Sequence, residues 1–479
     1  MQHGHHLTAG PVMETGAMIS IKPEAVPQPF RPAAPEETDR WPSFYDMFFG
    51  ETARNPLVGW PREVFDVLNR KTRLLHLTYH GISDPEGVKH VLLDNHANYT
   101  KPRMIRDALA PAIGEGLLTA EGDLWREQRK LMAPIFTPTT VKSFLPIFVD
   151  QAKASAGRWK SEGPGRRDMA IETTHTTFDI INAALFSGEA GLDPNEARPH
   201  LEAAVSAPAE YRLGFLFGMP WLDQSPLQRR GRTGTAYLVS KAEALVRRRQ
   251  ADPHPGEDFM GRVLSAFADR YPPEKAAKLA VDNALTFMVA GHETTSNGLA
   301  WALYLLSQDL KAQDWAREEA MEAWSASDDP SGILEDLPYL RMVWEETLRL
   351  YPPVPRIDRE ALADDIVCGE KVRKGDMISI WPWVMHRHRK LWNDPDLFNP
   401  ENFDPEAKAE HHRFQYIPFG AGPHVCIGMP FAQSEALILL SYWLTRFTFR
   451  PAPDHRVFPT AHVTLRPQGG MPLVIEALR

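Results

Sequence analysis

The chain has 479 residues, 43% apolar and 24% charged, a balance ordinary for a globular protein. Lys+Arg 53 against Asp+Glu 62 leaves a formal charge of −9, which argues against an electrostatic nucleic-acid binder. With only two cysteines, Cys368 and Cys426, a disulfide framework and a multi-cysteine zinc or iron–sulfur centre are excluded, and a reducing compartment fits.

Residues 1–40 carry six prolines (Pro11, Pro23, Pro27, Pro29, Pro32, Pro35) and little periodicity, so they read as an irregular lead-in. The histidines His3, His5 and His6 there read as tail residues rather than a metal site. No signal-peptide pattern opens the chain. The longest apolar runs, such as Leu299 to Leu306, are far shorter than the roughly 20 residues a spanning helix needs. A cytoplasmic protein without a transmembrane anchor is expected, with residues 41–479 forming one large domain.

In chain order, Ser83-Asp84-Pro85 opens a helix with a capping residue and a first-turn proline. A second helix is predicted from Glu121 or Gly122 to Met132. A third, from Pro273 to Ser307, would be about 50 Å long at 1.5 Å per residue. Another holds Tyr339 to Leu350 and stops at Tyr351-Pro352-Pro353. The last runs from Met429 to Phe447. Strand signals cluster late. Ile366-Val367-Cys368 and Val372, divided by Gly369-Glu370, read as a hairpin, followed by Met377 to Ile380. His462 to Leu465 and Leu473 to Ile475, joined through Pro467 and Gly469-Gly470, read as a second hairpin. The expected fold class is mainly α with a small β portion set to one side.

Chemistry concentrates at Cys426, in the loop Phe419-Gly420-Ala421-Gly422-Pro423-His424-Val425-Cys426-Ile427-Gly428 that feeds the last long helix. A thiol there faces the positive end of a helix dipole and unpaired N–H groups, both favouring thiolate. Without further cysteines it cannot build a zinc cage. It can serve as the single axial ligand of a haem iron, the glycines letting backbone approach a flat macrocycle. Phe419 would shield the sulfur and His424 would reach a propionate. A small buried hydrophobe, or a nucleophile based by His424, are the competing readings of the same loop. Cys368, in a hairpin without a charged or helix-end context, reads as structural.

This loop resembles the cysteine-ligand signature of the cytochrome P450 family, F-x-x-G-x-[RH]-x-C-x-G, and the similarity runs from about Leu75 to the C-terminus. The resemblance implies the cytochrome P450 fold and haem b, with Cys426 as axial ligand and Gly428 completing the motif. Three further segments are similar to the family's. Ala290-Gly291-His292-Glu293-Thr294-Thr295 puts a polar, glycine-bearing turn in the middle of an apolar helix, where glycine costs about 1 kcal/mol against alanine. The family's acid–alcohol pair matches Glu293 and Thr294 as proton relay, with Gly291 leaving room over the haem. His292 reads as a surface or packing residue.

Glu346-Thr347-Leu348-Arg349 places acid and base on one helical face. In the family this pair is buried and braces the cysteine loop, with an arginine from a P-E-R-F stretch. The chain has Pro400-Glu401-Asn402-Phe403, where Asn402 can hydrogen-bond but carries no charge, so whether the three-member network forms is left open by the sequence. In Trp125-Arg126-Glu127-Gln128-Arg129, Trp125 and Arg129 share a face suited to a carboxylate. The family uses both positions on a propionate, and Arg359 matches another such position.

The resemblance implies a monooxygenase inserting one atom of O2 into an apolar substrate by hydroxylation or epoxidation. A separate ferredoxin or flavodoxin would bring electrons, since only about 50 residues follow Cys426. Arg126, Arg129, Lys130, Arg387, Arg389, Lys390 and Arg413 form the basic face expected to steer it. Helical spacing suggests Asn283, Phe287 and Ala290 as pocket residues beside Thr294, with Val354 and Pro355 across from them. The pocket suits a fatty acid or terpenoid, and the stretch from Tyr351 to Asp404 resembles fatty-acid-oxidising, membrane-bound relatives. A monomeric, bacterial-type enzyme is expected. A peroxide-driven peroxygenase and a haem-based sensor are the alternatives, and the Glu293–Thr294 pair weighs against both.

Overall fold

The computed structural model describes residues 30–478 apart from 44, 47–48, 75–76, 189–192, 210–224, 253–257 and 462. His3, His5, His6 and the prolines up to Pro29 therefore lie outside the described residues, as does His462. The end of the lead-in is irregular but pinned. The Ala33 N–H donates to Tyr304 Oη (3.2 Å), the Tyr351 hydroxyl to the Ala33 carbonyl (2.7 Å), and the Phe398 N–H to the Phe30 carbonyl (2.9 Å).

The elements that position the site follow in order. They are β1 (Asn69–Leu74), β2 (Leu77–Ile82), β3 (Tyr99–Thr100), α1 (Gly122–Met132), α2 (Leu145–Glu162), β4 (Gly165–Asp168), α3 (Met169–Phe186), α4 (Pro226–Ala251) and α5 (Pro273–Gln308). Then come α6 (Leu310–Ala326), α7 (Pro338–Leu350), β5 (Ile357–Ala361), β6 (Asp365–Val367), β7 (Glu370–Val372), β8 (Met377–Ile380), α8 (Met429–Leu444), β9 (Phe447–Pro451), β10 (Pro459–Ala461), β11 (Leu465–Pro467) and β12 (Pro472–Ala477).

Helix α5 is the axis of the molecule. Its 36 residues span about 54 Å at 1.5 Å per residue. From Thr295 to Ser307 every residue is buried, because α3, α7 and α8 pack around it. Aromatic side chains fill the gaps: Phe148 of α2 meets Phe431 of α8 edge-on at 4.8 Å, and Trp301 of α5 stacks on Tyr351 at 3.8 Å. The β portion sits to one side as a five-stranded sheet, ordered β1-β2-β8-β5-β3, with three small sheets.

The hairpin at β6 and β7 forms as expected, with Cys368 (φ +51°) and Gly369 (φ +79°) in its tight turn. The expected second hairpin does not form. Leu465 begins β11, which pairs with β10, whereas β12 lies between β4 and β9. The Gly469-Gly470 turn carries the chain from one sheet to another instead of folding it back. The last helix is also shorter than expected. It ends at Leu444, and Phe447 already opens β9, its ring buried against Trp159.

Candidate functional site

Residues 289–291 and 293–294 of α5 and residues 418–430 of the loop before α8 stay accessible in a fold buried around them, and together they outline the candidate cleft. Cys426 forms its floor. Its N–H donates to the Phe419 carbonyl (2.9 Å), closing the loop into a tight arch. Gly422 makes the arch possible: it holds φ +67°, and a Cβ there would stand 1.8 Å from the Leu92 carbonyl oxygen. The sulfur is exposed even though the fold is dense around it. That density pushes the thiol up, against the N–H groups of Gly428 and Met429 and the charge of Arg129, which all pull it down. The helix end therefore does act on the sulfur as expected, while burial acts against it in the protein alone. A metal cation over the sulfur reverses that balance.

One wall of the cleft is cationic. Arg129 of α1 has no carboxylate partner among the described residues, and desolvation lowers its pKa. Arg359 of β5 gives one N–H to the Asp358 carbonyl (2.8 Å) and is likewise lowered by burial. Lys101, overlooked in the sequence, donates to the Ala120 carbonyl (2.8 Å) and stands 3.5 Å from Glu121. Burial holds it down to about 8. His424 stacks on Trp125 at 3.7 Å and stays neutral, pushed down to about 3 by burial and then by Lys101 and Arg359. Arg129 has no carboxylate beside it among the described residues, while Lys101 and Arg359 share Glu121, so this wall carries buried positive charge that its own carboxylates do not balance. A macrocycle with two carboxylates supplies the missing charge, so the donor set fits a haem with its propionates on this wall.

Helix α5 forms the roof. Ala290, Gly291, Glu293 and Thr294 are partly accessible in a helix otherwise buried around them. Thr294 Oγ1 bonds back to the Ala290 carbonyl (2.8 Å), and Thr295 Oγ1 to the Gly291 carbonyl (3.3 Å). Glu293 accepts a short hydrogen bond from the Thr464 hydroxyl in the turn between β10 and β11, a partner no spacing in the sequence reveals. Gly291 has a different reason from the expected one. A Cβ there would stand 2.7 Å from Ile181 Cδ1, so the glycine lets α3 approach α5 rather than clearing space over the cofactor. His292 is buried, its Nδ1 bonding the Met288 carbonyl (2.7 Å), and so is a packing residue rather than a surface one.

The expected pocket residues divide. Asn283 is fully buried, and its amide is consumed: Nδ2 donates to Gln128 Oε1 (2.6 Å) and the Leu279 carbonyl, while Oδ1 accepts from the Leu117 N–H. It ties α5 to α1 and presents nothing to a ligand. Phe287 stacks on Phe136 at 5.2 Å and meets Phe259 edge-on at 4.6 Å in the core. Pro355 is buried, whereas Val354 is open. Leu118 and Val463 are exposed as well, each beside buried neighbours, Leu117 and Thr464. The Leu465 N–H bonds the Pro353 carbonyl (2.9 Å), which ties the start of β11 to the segment that carries Val354.

Behind the floor, Arg349 spends all five of its N–H groups. Two meet Glu346 (2.6 and 2.7 Å), and three meet the carbonyls of His386 (2.8 Å), Pro395 (2.7 Å) and Leu397 (2.8 Å). Neither side chain has any exposure. Asn402 joins after all: its amide reaches both Glu346 oxygens at 3.3 and 3.4 Å, and the Asn399 N–H adds 2.9 Å. The third member survives as a neutral donor.

The expected basic face is smaller than its sequence. Arg387 is buried with its guanidinium 3.6 Å over Trp383, Arg389 is tied to Glu37 and Asp66, and Arg129 faces the cleft. Arg126, Lys130, Arg389, Lys390 and Arg413 remain exposed, Arg126 paired with Asp123.

The cytochrome P450 family model matches residues 68–473. Cytochrome P450 4F3 of Homo sapiens is 31% identical over 436 residues, covering 85% of this chain and 81% of its own. Putative cytochrome P450 132 of Mycobacterium tuberculosis is 31% identical over 411 residues, covering 82% and 87%. Leukotriene-B4 omega-hydroxylase 3 of Mus musculus is 29% identical over 415 residues, covering 82% and 79%. Among solved structures, the cytochrome P450DA heme domain superposes with a TM-score of 0.77 over 94% of this chain and 99% of its own, at 22% identity. Haem held by a cysteine thiolate is thus the cofactor and oxygen insertion the reaction, because the chain belongs to the cytochrome P450 family.

Proposed function

We propose that Cys426 is the axial thiolate and that Trp125, Arg129, Arg359, Lys101 and His424 hold the haem carboxylates, with Phe419 and Gly428 shaping the loop. The observation that carries this is the accessible sulfur deep in the fold, with two backbone N–H groups and Arg129 acting on it. When bound, the haem activates O2. The chain's own residues do the rest. Thr294 Oγ1 holds a proton at the roof, Glu293 passes protons inward from the Thr464 side, and Glu346 with Arg349 fixes the loop. The test is the absorption of the reduced, CO-bound protein, which shows the thiolate-ligand Soret position. Cys426→Ala loses that band while keeping its fold by circular dichroism. A band at the thiolate position in the variant would overturn the assignment.

The substrate we propose is a long apolar chain such as a fatty acid, oxidised by hydroxylation. Leu118, Val354 and Val463 are exposed apolar side chains and Ala290 is partly accessible, and the relative named as an omega-hydroxylase supports the class. Fatty acids then convert the ferric protein from low to high spin, whereas polar compounds of similar length do not. Electrons come from a separate protein. An acidic ferredoxin or flavodoxin suits the exposed Arg126, Lys130, Lys390 and Arg413, and charge reversal at Lys130 and Lys390 slows its reduction of the haem. Among the described residues no helix is long and apolar enough to cross a membrane, and we place the enzyme, as a monomer, in the cytoplasm.

A further inference from the structure

The loop between the helix Arg103–Ile113 and α1 carries Leu118, and three buried polar side chains hold its backbone. Gln128 of α1 and Asn283 of α5 have no exposure and bond to each other, Asn283 Nδ2 donating to Gln128 Oε1 (2.6 Å). Each amide then reaches for the loop. Asn283 Oδ1 accepts from the Leu117 N–H (3.0 Å), and Gln128 Nε2 donates to the Glu115 carbonyl (2.9 Å). Beside them Asp282 Oδ2 accepts from the Glu115 N–H (2.9 Å). Only one orientation of the amides fits. Turning Asn283 over sets two donors against each other at Leu117, and turning Gln128 over sets two acceptors together at Glu115.

The loop is shaped to receive them. A Cβ on Gly114, at φ +61°, would stand 2.1 Å from Asp282 Oδ1, and one on Gly116 would stand 2.2 Å from Thr286 Oγ1. The two glycines therefore let the backbone lie directly on α5. From the other side Lys101 Nζ donates to the carbonyls of Leu117 (3.2 Å) and Ala120 (2.8 Å). Leu117 is thus fixed at its N–H, at its carbonyl and by its buried side chain. The planar peptide it shares with Leu118 is held with it, and that plane aims Leu118, which is 42% exposed.

We infer that the Gln128–Asn283 amide pair is a positioning device for this loop: it sets where Leu118 stands, and through Leu118 which carbon of an apolar chain is oxidised. Neither amide touches substrate, so both are positioning residues. The inference rests on the reading of Leu118 as part of the substrate wall. Buried polar groups that are fully paired act as a unit, and an apolar residue at either position leaves a loop peptide group without its partner.

The test uses the haem-loaded enzyme and two readouts. The first needs no turnover: in Asn283→Leu the Leu117 amide exchanges about tenfold faster, the scale of one lost buried hydrogen bond, read as deuterium uptake by residues 114–120. The second is the distribution of product along a fatty-acid chain with a reductase system. Asn283→Leu and Gln128→Met each spread the product over more positions while total oxidation changes little, and the double variant spreads it no further than the worse single one. Gly116→Ala, which pushes the loop off α5 without touching either amide, gives the same spread. Ser307→Ala removes a buried hydroxyl bond from the far end of α5 and moves neither readout. Unchanged uptake in Asn283→Leu, faster uptake with an unchanged product distribution, or an equal spread in Ser307→Ala overturns the inference. Where Asn283→Leu fails to fold, Gln128→Met and Gly116→Ala carry the test. Leu118→Phe separates the two levels. If it leaves the product distribution intact, the reading of the wall has failed and the inference with it; if it shifts the products and the amide variants do not, only the amide inference has failed.

Discussion

Removing the Arg349 guanidinium breaks five hydrogen bonds at once. In Arg349→Ala the carboxylate of Glu346, with no exposure of its own, keeps only the Asn399 N–H and the two long Asn402 contacts. Breaking a buried pair by deleting one partner costs about 3–5 kcal/mol. The carbonyls of His386, Pro395 and Leu397 lose their donors too. Each orphaned carbonyl adds about 1 kcal/mol or more unless water reaches it. The sum, about 6–8 kcal/mol, is comparable to the whole stability of an ordinary domain, about 5–15 kcal/mol. Arg349→Lys keeps the charge but offers three donors in no fixed fork, so it recovers only part of the loss. The assay is urea unfolding followed by circular dichroism, with haem content of the purified protein alongside. Arg349→Ala is expected to be unfolded or haem-free, and Arg349→Lys intermediate. An Arg349→Ala protein with a wild-type midpoint and full haem content would show that the buried network carries little energy.

Three further outcomes follow from the cleft. Lys101, at about 8 in the protein alone, gains a proton when a carboxylate settles beside it. Its folded pKa rises on loading, so haem affinity is highest below about pH 8 and falls as pH climbs above it; competition with apomyoglobin across pH 7–10 reads this, and Lys101→Gln flattens the profile. Thr464→Val removes the hydroxyl that bonds Glu293 while keeping the shape of a buried side chain. Product yield per O2 should drop several-fold, with little change in unfolding midpoint, as measured by peroxide release and thermal melting. Gly291→Ala gains about 1 kcal/mol of helix propensity and loses about 1–3 kcal/mol to overpacking against Ile181. A melting point at or slightly below wild type is expected, and adding Ile181→Val brings it back up.

How far the sequence foretold this depended on the range of each interaction. Helix α5 was predicted to within a residue, from Pro273 to Ser307 against Pro273–Gln308, because periodicity and a first-turn proline are local. The Cys426 loop and the Glu346–Arg349 pair were legible for the same reason. Pairing across sheets was not: Leu473 to Ile475 reads as a strand, but nothing nearby says that β4, about 300 residues earlier, is its neighbour. Lys101 and Thr464 carry no motif, and only the folded chain brings them to Arg359 and Glu293. Arg387 shows the reverse error. Charge suggested a surface, while the Trp383 ring that covers it is four residues away and offered no pattern to read.

The two sides of the cleft differ in how completely their polar groups are spent, and that difference has a physical consequence. On the cysteine side, Arg349 has no free donor and Glu346 accepts from three residues, so the segment from His386 to Asn402, to which the Ile417 N–H ties the start of the loop through His386 Nε2, cannot shift without breaking several charge-assisted bonds at once. On the α5 side, Thr294 and Thr295 bond only to their own helix and Glu293 to a single turn. Those bonds can exchange partners at a cost of about 1 kcal/mol each. A site that must hold iron at one distance while admitting substrate, O2 and protons needs this asymmetry. The ligand side is rigid because its hydrogen bonds are saturated. The oxygen side can rearrange because its bonds are few and local.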